Sequence, residues 1–232
     1  MDFSPASPRS VAAFLAICVA IITAFLVAVR RSENHDKIPA GRRVVPTAIA
    51  LFVWLGAIAL IVRSGFVAAQ PAPRLMVFAL GINLVALAAG LLAPGRWLAA
   101  CVPVAALVGF QAFRLPLELV LHEWAAQGTI PETMTWTGQN WDIITGIVAL
   151  VAAFLAGRSR VVAWFANVVG IVLLGSVFRV VVMSSPLPFA WPGVEPRLLL
   201  AFHLPYALIV PVCVGGAVFG HVVLTRALLR RA

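Results

Sequence analysis

The sequence predicts an all-α protein, a polytopic membrane bundle of seven transmembrane helices that forms one domain over residues 1–232. Three observations lead to this fold class: 62% of the residues are hydrophobic, only 11% are charged, and the apolar residues form long unbroken runs. A soluble domain is about half apolar and about a quarter charged. The interior of a soluble fold of this length cannot hide so much apolar surface, so the surrounding solvent must be lipid.

Seven apolar runs are long enough to cross a hydrocarbon core of roughly 30 Å, which needs about 20 helical residues. They lie near residues 10–29, 44–64, 74–93, 97–122, 141–157, 161–183 and 197–225. The runs are continuous in Ala, Val, Leu and Ile and lack the alternation of a β-barrel. Because a helix satisfies its own backbone hydrogen bonds in lipid, we expect each run to be a helix.

The first run is expected to remain in the protein as a membrane helix. Arg9 precedes it, and Arg30 and Arg31 follow it directly. A cleaved signal peptide has a shorter apolar region with its positive charge in front. The length and the flanking charges of this run therefore favour a permanent crossing.

The basic residues between the runs predict the orientation. Eleven of them fall on one side of the predicted bundle: Arg30, Arg31, Lys37, Arg42, Arg43, Arg96, Arg158, Arg160, Arg226, Arg230 and Arg231. Four fall on the other side: Arg9, Arg63, Arg74 and Arg197. The positive-inside rule then places the N-terminus outside and the C-terminus in the cytoplasm. Membrane topology also accounts for the net charge of +9, so no nucleic-acid partner is expected.

The three cysteines lie inside apolar runs. Cys18, Cys101 and Cys213 show no CxxC or Cys/His spacing of the kind that binds metals. They are expected to be buried thiols that act as small apolar side chains. The sequence thus predicts no metal and no cofactor.

A polar stripe interrupts the fourth run. The stretch FRLPLELVLHEW at 113–124 spaces Arg114, Glu118 and His122 four residues apart, which puts them on one helical face. Charges at membrane depth cost roughly 2.5–3.5 kcal/mol each, so they usually face the bundle interior and form pairs. The stripe is therefore expected to point inward.

Other runs bring ionisable residues to the same depth near the outer face, at a rise of about 1.5 Å per residue. The predicted ligand-binding residues are Arg114, Glu118, His122, Asp142, Arg179 and His203. Supporting hydrogen-bonding groups are expected from Gln111, Gln139, Asn140 and Tyr206. Together these residues predict a polar pocket that opens to the outside.

The longest outer loop, EWAAQGTIPETMTWTGQN at 123–140, is expected to carry part of an aromatic belt. Trp124, Trp136 and Trp141 would lie at the level of the lipid headgroups. A lid over the polar layer is the alternative interpretation of this loop.

The segment FRLPLELVLHEW followed by GTIPETMTWTGQNWDIITGIVALV resembles a segment found in a group of uncharacterised bacterial multi-span proteins. The likeness covers about residues 110–155. The resemblance implies a multi-pass protein of the bacterial inner (plasma) membrane. It implies no reaction, substrate or site residue.

The leading functional hypothesis is binding of a small polar or anionic ligand, or of a lipid headgroup, in the outer pocket. Arg114 and Arg179 would donate hydrogen bonds to the anion, and Glu118 and Asp142 would orient the two arginines. Histidines in the pocket would relay protons. A structural salt-bridge network is the competing interpretation. Membrane lipids are expected partners, and the sequence leaves a homo-oligomer open.

Three other functions stay open at this point. A small-solute or proton-coupled transporter needs polar groups that continue inward, and Gln111, Asn83, Asn167 and His221 are the candidates. His221 is expected to lie apart from the outer cluster.

An intramembrane lipid-modifying enzyme would use His122 or His203 as a base and Ser184 or Ser185 as a nucleophile, although no nucleophile motif surrounds them. A haem held between the same two histidines is the third alternative.

Overall fold

The structure, a computed structural model, describes residues 2–230. Arg231, which the orientation argument counted, lies outside the described residues. Within residues 2–230 the chain is helical and contains no strand. The α-helices are α1 Pro8–His35, α2 Val44–Arg63, α3 Phe66–Ala69, α4 Pro71–Leu91, α5 Ala93–Cys101, α6 Val104–Phe110, α7 Arg114–Ala126, α8 Ile143–Ala156, α9 Arg160–Ser184 and α10 Gly215–Arg230.

Six helices in this part of the chain are long and apolar enough to cross a membrane. They are α1, α2, α4, the combined segment Val104–Ala126, α9 and the combined segment Tyr206–Arg230. The predicted all-helical membrane bundle is thus confirmed at this level. A shorter apolar helix, α8, lies where the fifth run was predicted.

The fourth predicted run is divided in the structure. The sequence predicts one helix over 97–122, whereas α5 ends at Cys101 and α6 begins at Val104. Pro103 follows Val102, which has an extended backbone conformation with φ −85° and ψ 130°. A proline disfavours the helical conformation of the residue before it, so the chain turns here. The crossing segment therefore begins at Val104 rather than near Trp97.

A second proline makes that segment irregular. Pro116 has no N–H to donate to the carbonyl of residue 112, four positions earlier. The chain forms a 3₁₀ turn over Gln111–Phe113 before α7 begins at Arg114. Arg114 thus lies where the helical hydrogen-bond pattern changes.

The last run begins later than the predicted 197–225. A 3₁₀ turn at Leu200–Phe202 precedes the continuous helical segment, which starts at Tyr206. The segment passes through a π-helix at Ile209–Val214, which contains Pro211, before α10. Proline removes a backbone donor, and a wider helical turn accommodates this loss.

Helix α1 packs against this last segment in one apolar core. Phe14, Cys18 and Ile21 of α1 belong to the same buried cluster as Val212 and Cys213 of the π-helix. The first and last membrane helices are therefore neighbours.

The segment before α8 enters the bundle. α8 has 14 residues, which span about 21 Å and so fall short of a 30 Å hydrocarbon core. Ile130, Met134, Thr135 and Asn140, which precede it, are all buried. Non-helical backbone at membrane depth is tolerated where protein encloses it.

The three loop tryptophans do not share one environment. Trp124 is fully buried, and its Nε1 donates a hydrogen bond to Ser10 Oγ at 3.1 Å. Trp141 is 58% exposed. The expectation that Trp124 belongs to a belt at the headgroup level is wrong, since this side chain fills the core between α1 and α7.

Close contact between α7 and α8 depends on Gly146. A Cβ atom at this position would lie 2.5 Å from the backbone nitrogen of Leu115. Real Cβ atoms essentially never approach so closely, so a side chain here would push the helices apart. This approach brings the start of α8 to the start of α7.

Candidate functional site

A buried ion pair joins the starts of α7 and α8. Arg114, the first residue of α7, is 1% exposed and forms a salt bridge with the buried Asp142. Thr145 Oγ1 also donates to Asp142 Oδ1 at 2.9 Å. Because Asp142 precedes the N-terminus of α8, the helix dipole adds to the stabilisation of its negative charge. The predicted pairing of these two residues is therefore observed.

Glu118 lies one helical turn beyond Arg114 and is only 2% exposed. Asn140 Nδ2 donates to Glu118 Oε1 at 2.9 Å, and Asn140 Oδ1 accepts from the backbone N–H of Asp142 at 3.3 Å. Asn140 thus bridges the Glu118 carboxylate and the backbone of Asp142. Glu118 Oε2 is buried and has no hydrogen-bond partner among the described residues.

The cluster continues through a histidine that was expected to lie apart from it. Arg114 Nη2 lies 3.3 Å from His221 Nε2, and His221 Nδ1 lies 2.9 Å from Asn167 Oδ1. Because arginine and histidine can pair here only if Nε2 accepts, the proton is assigned to Nδ1. Asn167 Nδ2 donates in turn to Thr225 Oγ1 at 2.8 Å.

The expectation about His221 is therefore wrong, and a signal in the sequence existed. His221 lies nine residues before the end of α10, which is about 14 Å of helix. An ionisable group at that depth is a functional candidate by default. Gly170 on α9 makes room for it, because a Cβ there would lie 2.3 Å from His221 Cε1.

Arg179 and Gln139 form a separate contact on the surface. Arg179 is exposed, its Nη2 lies 3.5 Å from Gln139 Oε1, and its guanidinium carbon lies 5.3 Å from the centre of the Trp191 ring. The sequence predicted Arg114 and Arg179 in one pocket, whereas the structure places Arg179 on the surface. α9 buries Val177 and Val180, and Arg179 lies on another face of the same helix.

His122 lies under the outer loop rather than in the cluster. Its ring stacks on Trp136, with 4.2 Å between the ring centres. Its Nδ1 atom is buried and has no hydrogen-bond partner among the described residues.

His203 and Tyr206 contact the N-terminal segment. The His203 ring stacks on Phe3 with 4.0 Å between centres, and the Tyr206 hydroxyl accepts a hydrogen bond from the Ala6 N–H at 2.9 Å. The structure therefore gives His122 and His203 different partners. It does not bring them together as a haem site would require.

The two candidate serine nucleophiles are also engaged elsewhere. Ser184 Oγ shares a 2.7 Å hydrogen bond with Thr133 Oγ1, and Ser185 Oγ donates to the Val181 carbonyl at 2.6 Å. In the part of the chain that the structure describes, neither serine has a hydrogen bond to His122 or His203. This geometry does not activate a nucleophile.

Gln111 is buried beside the cluster without partners for its amide. Neither its Oε1 nor its Nε2 has a hydrogen bond within residues 2–230. Gly220 of α10 leaves space for this side chain, because a Cβ there would lie 2.5 Å from Gln111 Nε2.

A cavity of about 130 Å³ adjoins the polar cluster. Most of its wall is apolar and comes from α4, α7, α9 and the π-helix. Its polar lining residues include Asn83, Arg114, Glu118, Asn140 and Asp142. Three atoms of these residues, Asn83 Oδ1, Arg114 Nε and Glu118 Oε2, are buried and have no partner among the described residues.

One wall of the cavity is also part of the bundle surface. Met76 of α4 lines the cavity and is also 45% exposed. A lipid-soluble molecule beside this side chain would lie next to the cavity.

Comparisons with protein-family models, with curated proteins and with solved structures give no match. The functional conclusions below therefore depend on the geometry of the site.

Proposed function

We propose that this chain is a multi-pass bacterial inner-membrane protein that binds a small ligand in the cavity beside Glu118. The ligand has an apolar body and one hydrogen-bond-donating or cationic group. The observation that carries the proposal is the buried Glu118 Oε2, an acceptor without a partner among the described residues in a largely apolar cavity. An unsatisfied buried acceptor costs about 1–3 kcal/mol, and a donor on the ligand would remove this cost.

The charges beside the cavity favour a donor over an anion. The positive charge of Arg114 is already paired with Asp142, and Glu118 contributes a second acidic side chain. An anionic ligand would therefore face two acidic side chains, with the unpartnered Nε–H of Arg114 as its donor. The anion that the sequence suggested has less support than a neutral donor or a cation.

The cavity volume limits the size of the ligand. An engineered protein cavity of about 150 Å³ accommodates benzene, and this cavity has about 130 Å³. A group the size of one ring fits, whereas a whole phospholipid does not.

The proposal includes seven crossings, with the N-terminus outside and the C-terminus in the cytoplasm. α8 would be the seventh, with the buried segment before it completing the distance to the outer surface. The excess of Lys and Arg at the end that holds the α1–α2 loop supports this orientation. The polar cluster and its cavity would then lie in the outer half of the bilayer.

A series of three probes tests the proposal. Benzylamine, benzyl alcohol and benzoate share one ring and differ only in the polar group. We expect benzylamine to raise the melting temperature of the purified protein most, benzyl alcohol less and benzoate least. A largest shift with benzoate would contradict the proposed charge preference.

Two variants test whether the shift in melting temperature arises from binding in the cavity. Glu118→Gln should remove the advantage of benzylamine over benzyl alcohol, because the carboxylate is gone. Arg179→Gln changes an exposed charge outside the cavity and should leave the order of the three probes unchanged. Equal effects of the two variants would contradict a role for Glu118.

Proton-coupled transport is a second candidate, favoured by the hydrogen-bonded chain that continues from the cavity. From Arg114 the chain passes through His221 and Asn167 to Thr225, one turn further along α10. These are the inward polar groups that a transporter needs, and linked titratable groups can relay protons.

Proton flux into reconstituted vesicles that contain a pH-sensitive dye tests this candidate. Gly170→Ala should slow the flux, since the new Cβ would displace the His221 ring. Gly175→Ala, at a position with open space, is the matched control and should not change it. Flux that is the same in both variants and in empty vesicles would exclude this candidate.

A further inference from the structure

A second cavity has no lining residue in common with the first. It has a volume of about 250 Å³ and is enclosed by α1, α5, α6 and α10. Its walls are apolar, with Ala28, Leu98, Val102 and Phe219 among the lining side chains. Arg31 is the one charged residue that lines it within residues 2–230. The cavity is therefore an apolar groove with the guanidinium group of Arg31 at one end.

The acidic side chains nearby are engaged by other cations. Glu33 accepts from Arg30 Nη1 at 2.6 Å, and Asp36 accepts from Arg43 Nη1 at 2.6 Å. Arg31 is exposed and has no hydrogen bond or ion pair among the described residues. Its guanidinium is thus available to an anion from outside the chain.

The dimensions of the groove fit part of a lipid. Ala24, Ala28 and Arg31 lie along one face of α1, and seven residues of helix extend over about 10 Å. One leaflet of a bilayer contributes about half of a 30 Å hydrocarbon core. The groove would therefore contact most of the length of an acyl chain whose headgroup lies beside Arg31.

The surrounding charge favours an anionic headgroup. The loop after α1 and the start of α5 bring Lys37, Arg42 and Arg96 to the same end of the bundle. Basic residues near a membrane surface attract anionic lipids by about 1 kcal/mol each. A guanidinium can also donate two parallel hydrogen bonds to a phosphate. A zwitterionic lipid carries its own cation and gains less.

We propose that this groove is a binding site for an anionic phospholipid, with one acyl chain between α1, α5 and α10 and the phosphate on Arg31. The site is independent of the cavity beside Glu118. It requires only that the chain lies in a bilayer.

Native mass spectrometry of the full chain in nanodiscs tests this site. The nanodiscs contain phosphatidylcholine with a minor fraction of phosphatidylglycerol, and retained lipid is counted after release. We expect preferential retention of phosphatidylglycerol and a loss of it well above fivefold in Arg31→Gln, because direct hydrogen bonds to the phosphate add to the roughly fivefold attraction of one basic residue. Arg42→Gln removes the same charge from the same end without touching the groove, and its loss should not exceed about fivefold.

Two results would overturn the proposal. Equal losses in Arg31→Gln and Arg42→Gln would mean that only the general positive potential attracts the lipid. Equal retention of the two lipids by the unmodified chain would mean that the groove does not select a headgroup. A groove-filling variant, Ala28→Phe, keeps every charge and should also reduce retention, so a normal level in that variant would contradict the acyl-chain contact.

Discussion

Two buried glutamates at different ends of the bundle have very different hydrogen bonding. Glu33 is fully buried, and both of its oxygens are satisfied. Oε1 accepts from the N–H groups of Arg43 at 2.6 Å and Val44 at 3.0 Å. Oε2 accepts from Arg30 Nη1 at 2.6 Å and from the Gly41 N–H at 3.1 Å. Glu118 is equally buried, yet Asn140 is its single hydrogen-bond donor in the described region, and Oε2 has none.

The difference distinguishes a structural carboxylate from a candidate binding group. The first N–H groups of α2 have no intrahelical partner, and the side chain of Arg43, the residue before the helix, does not cap them. Glu33 supplies the missing cap from the end of α1 and fixes the loop between the two helices. Glu118 Oε2, in contrast, accepts no hydrogen bond from the described residues. A buried carboxylate that lies beside a cavity and has one oxygen without a hydrogen bond is the better candidate for a ligand contact.

The largest expected effect comes from breaking the ion pair beside Glu118. Asp142→Ala leaves Arg114 buried and unpaired, and we expect a loss of about 3 kcal/mol in the free energy of unfolding. This is the lower end of the usual range because Glu118, one turn away, can partly replace the lost charge. Denaturant unfolding in detergent measures the loss.

The double variant Arg114→Met with Asp142→Ala is the control for that experiment. It removes both charges together, so it should recover much of the lost stability. A double variant less stable than the single one would show that Arg114 stabilises the fold without Asp142.

Glu33→Gln is expected to have the next largest effect. The amide can present only one acceptor oxygen to donors that now occupy two, and its NH₂ group faces N–H donors. We expect a clear fall in melting temperature with no change in the response to benzylamine. An unchanged melting temperature would contradict the capping role of this side chain.

Glu118→Gln sharpens the comparison because the chemical change is the same. Its oxygen can still accept from Asn140, so we expect a loss of stability of less than about 1 kcal/mol. The benzylamine response, by contrast, should fall to the level of the benzyl alcohol response. Thermal melts of the two Glu→Gln variants, without a probe and with each of these two probes, give six curves that test the difference between the glutamates. Similar behaviour of the two variants would remove the distinction between the glutamates.

Arg179→Gln should have the smallest effect. The guanidinium is exposed, and its contact with Gln139 is long at 3.5 Å. Exposed charged contacts of this kind typically contribute less than about 1 kcal/mol, so we expect a change in melting temperature near the error of the measurement. A marked destabilisation would indicate that Arg179 belongs to the buried network after all.

The helical bundle was predictable because length and apolarity identify membrane helices without further information. The division of the fourth run was also encoded, since Pro103 disfavours a helical Val102. The hydrophobic pattern does not show this division, because the residues on both sides of Pro103 are apolar. The depth of each residue along its helix correctly predicted that Arg114 lies close to Asp142.

Depth alone could not assign Arg179 or His221. It gives the height of a residue in the membrane, whereas successive helical residues differ by about 100° in direction around the axis. Arg179 has a suitable height and faces outward. His221 faces inward because Gly170 leaves room opposite it, which is a fact of packing between two helices. Packing partners are set by the tertiary fold, which the hydrophobic pattern of one chain does not specify.

The contact between the first helix and the last has a consequence for biogenesis. Phe14, Cys18 and Ile21 meet Val212 and Cys213, which the ribosome adds almost two hundred residues later. During insertion, this face of α1 must therefore be covered by lipid or by the insertion machinery until the later segment has been made. Only the synthesis of that segment can complete the contact.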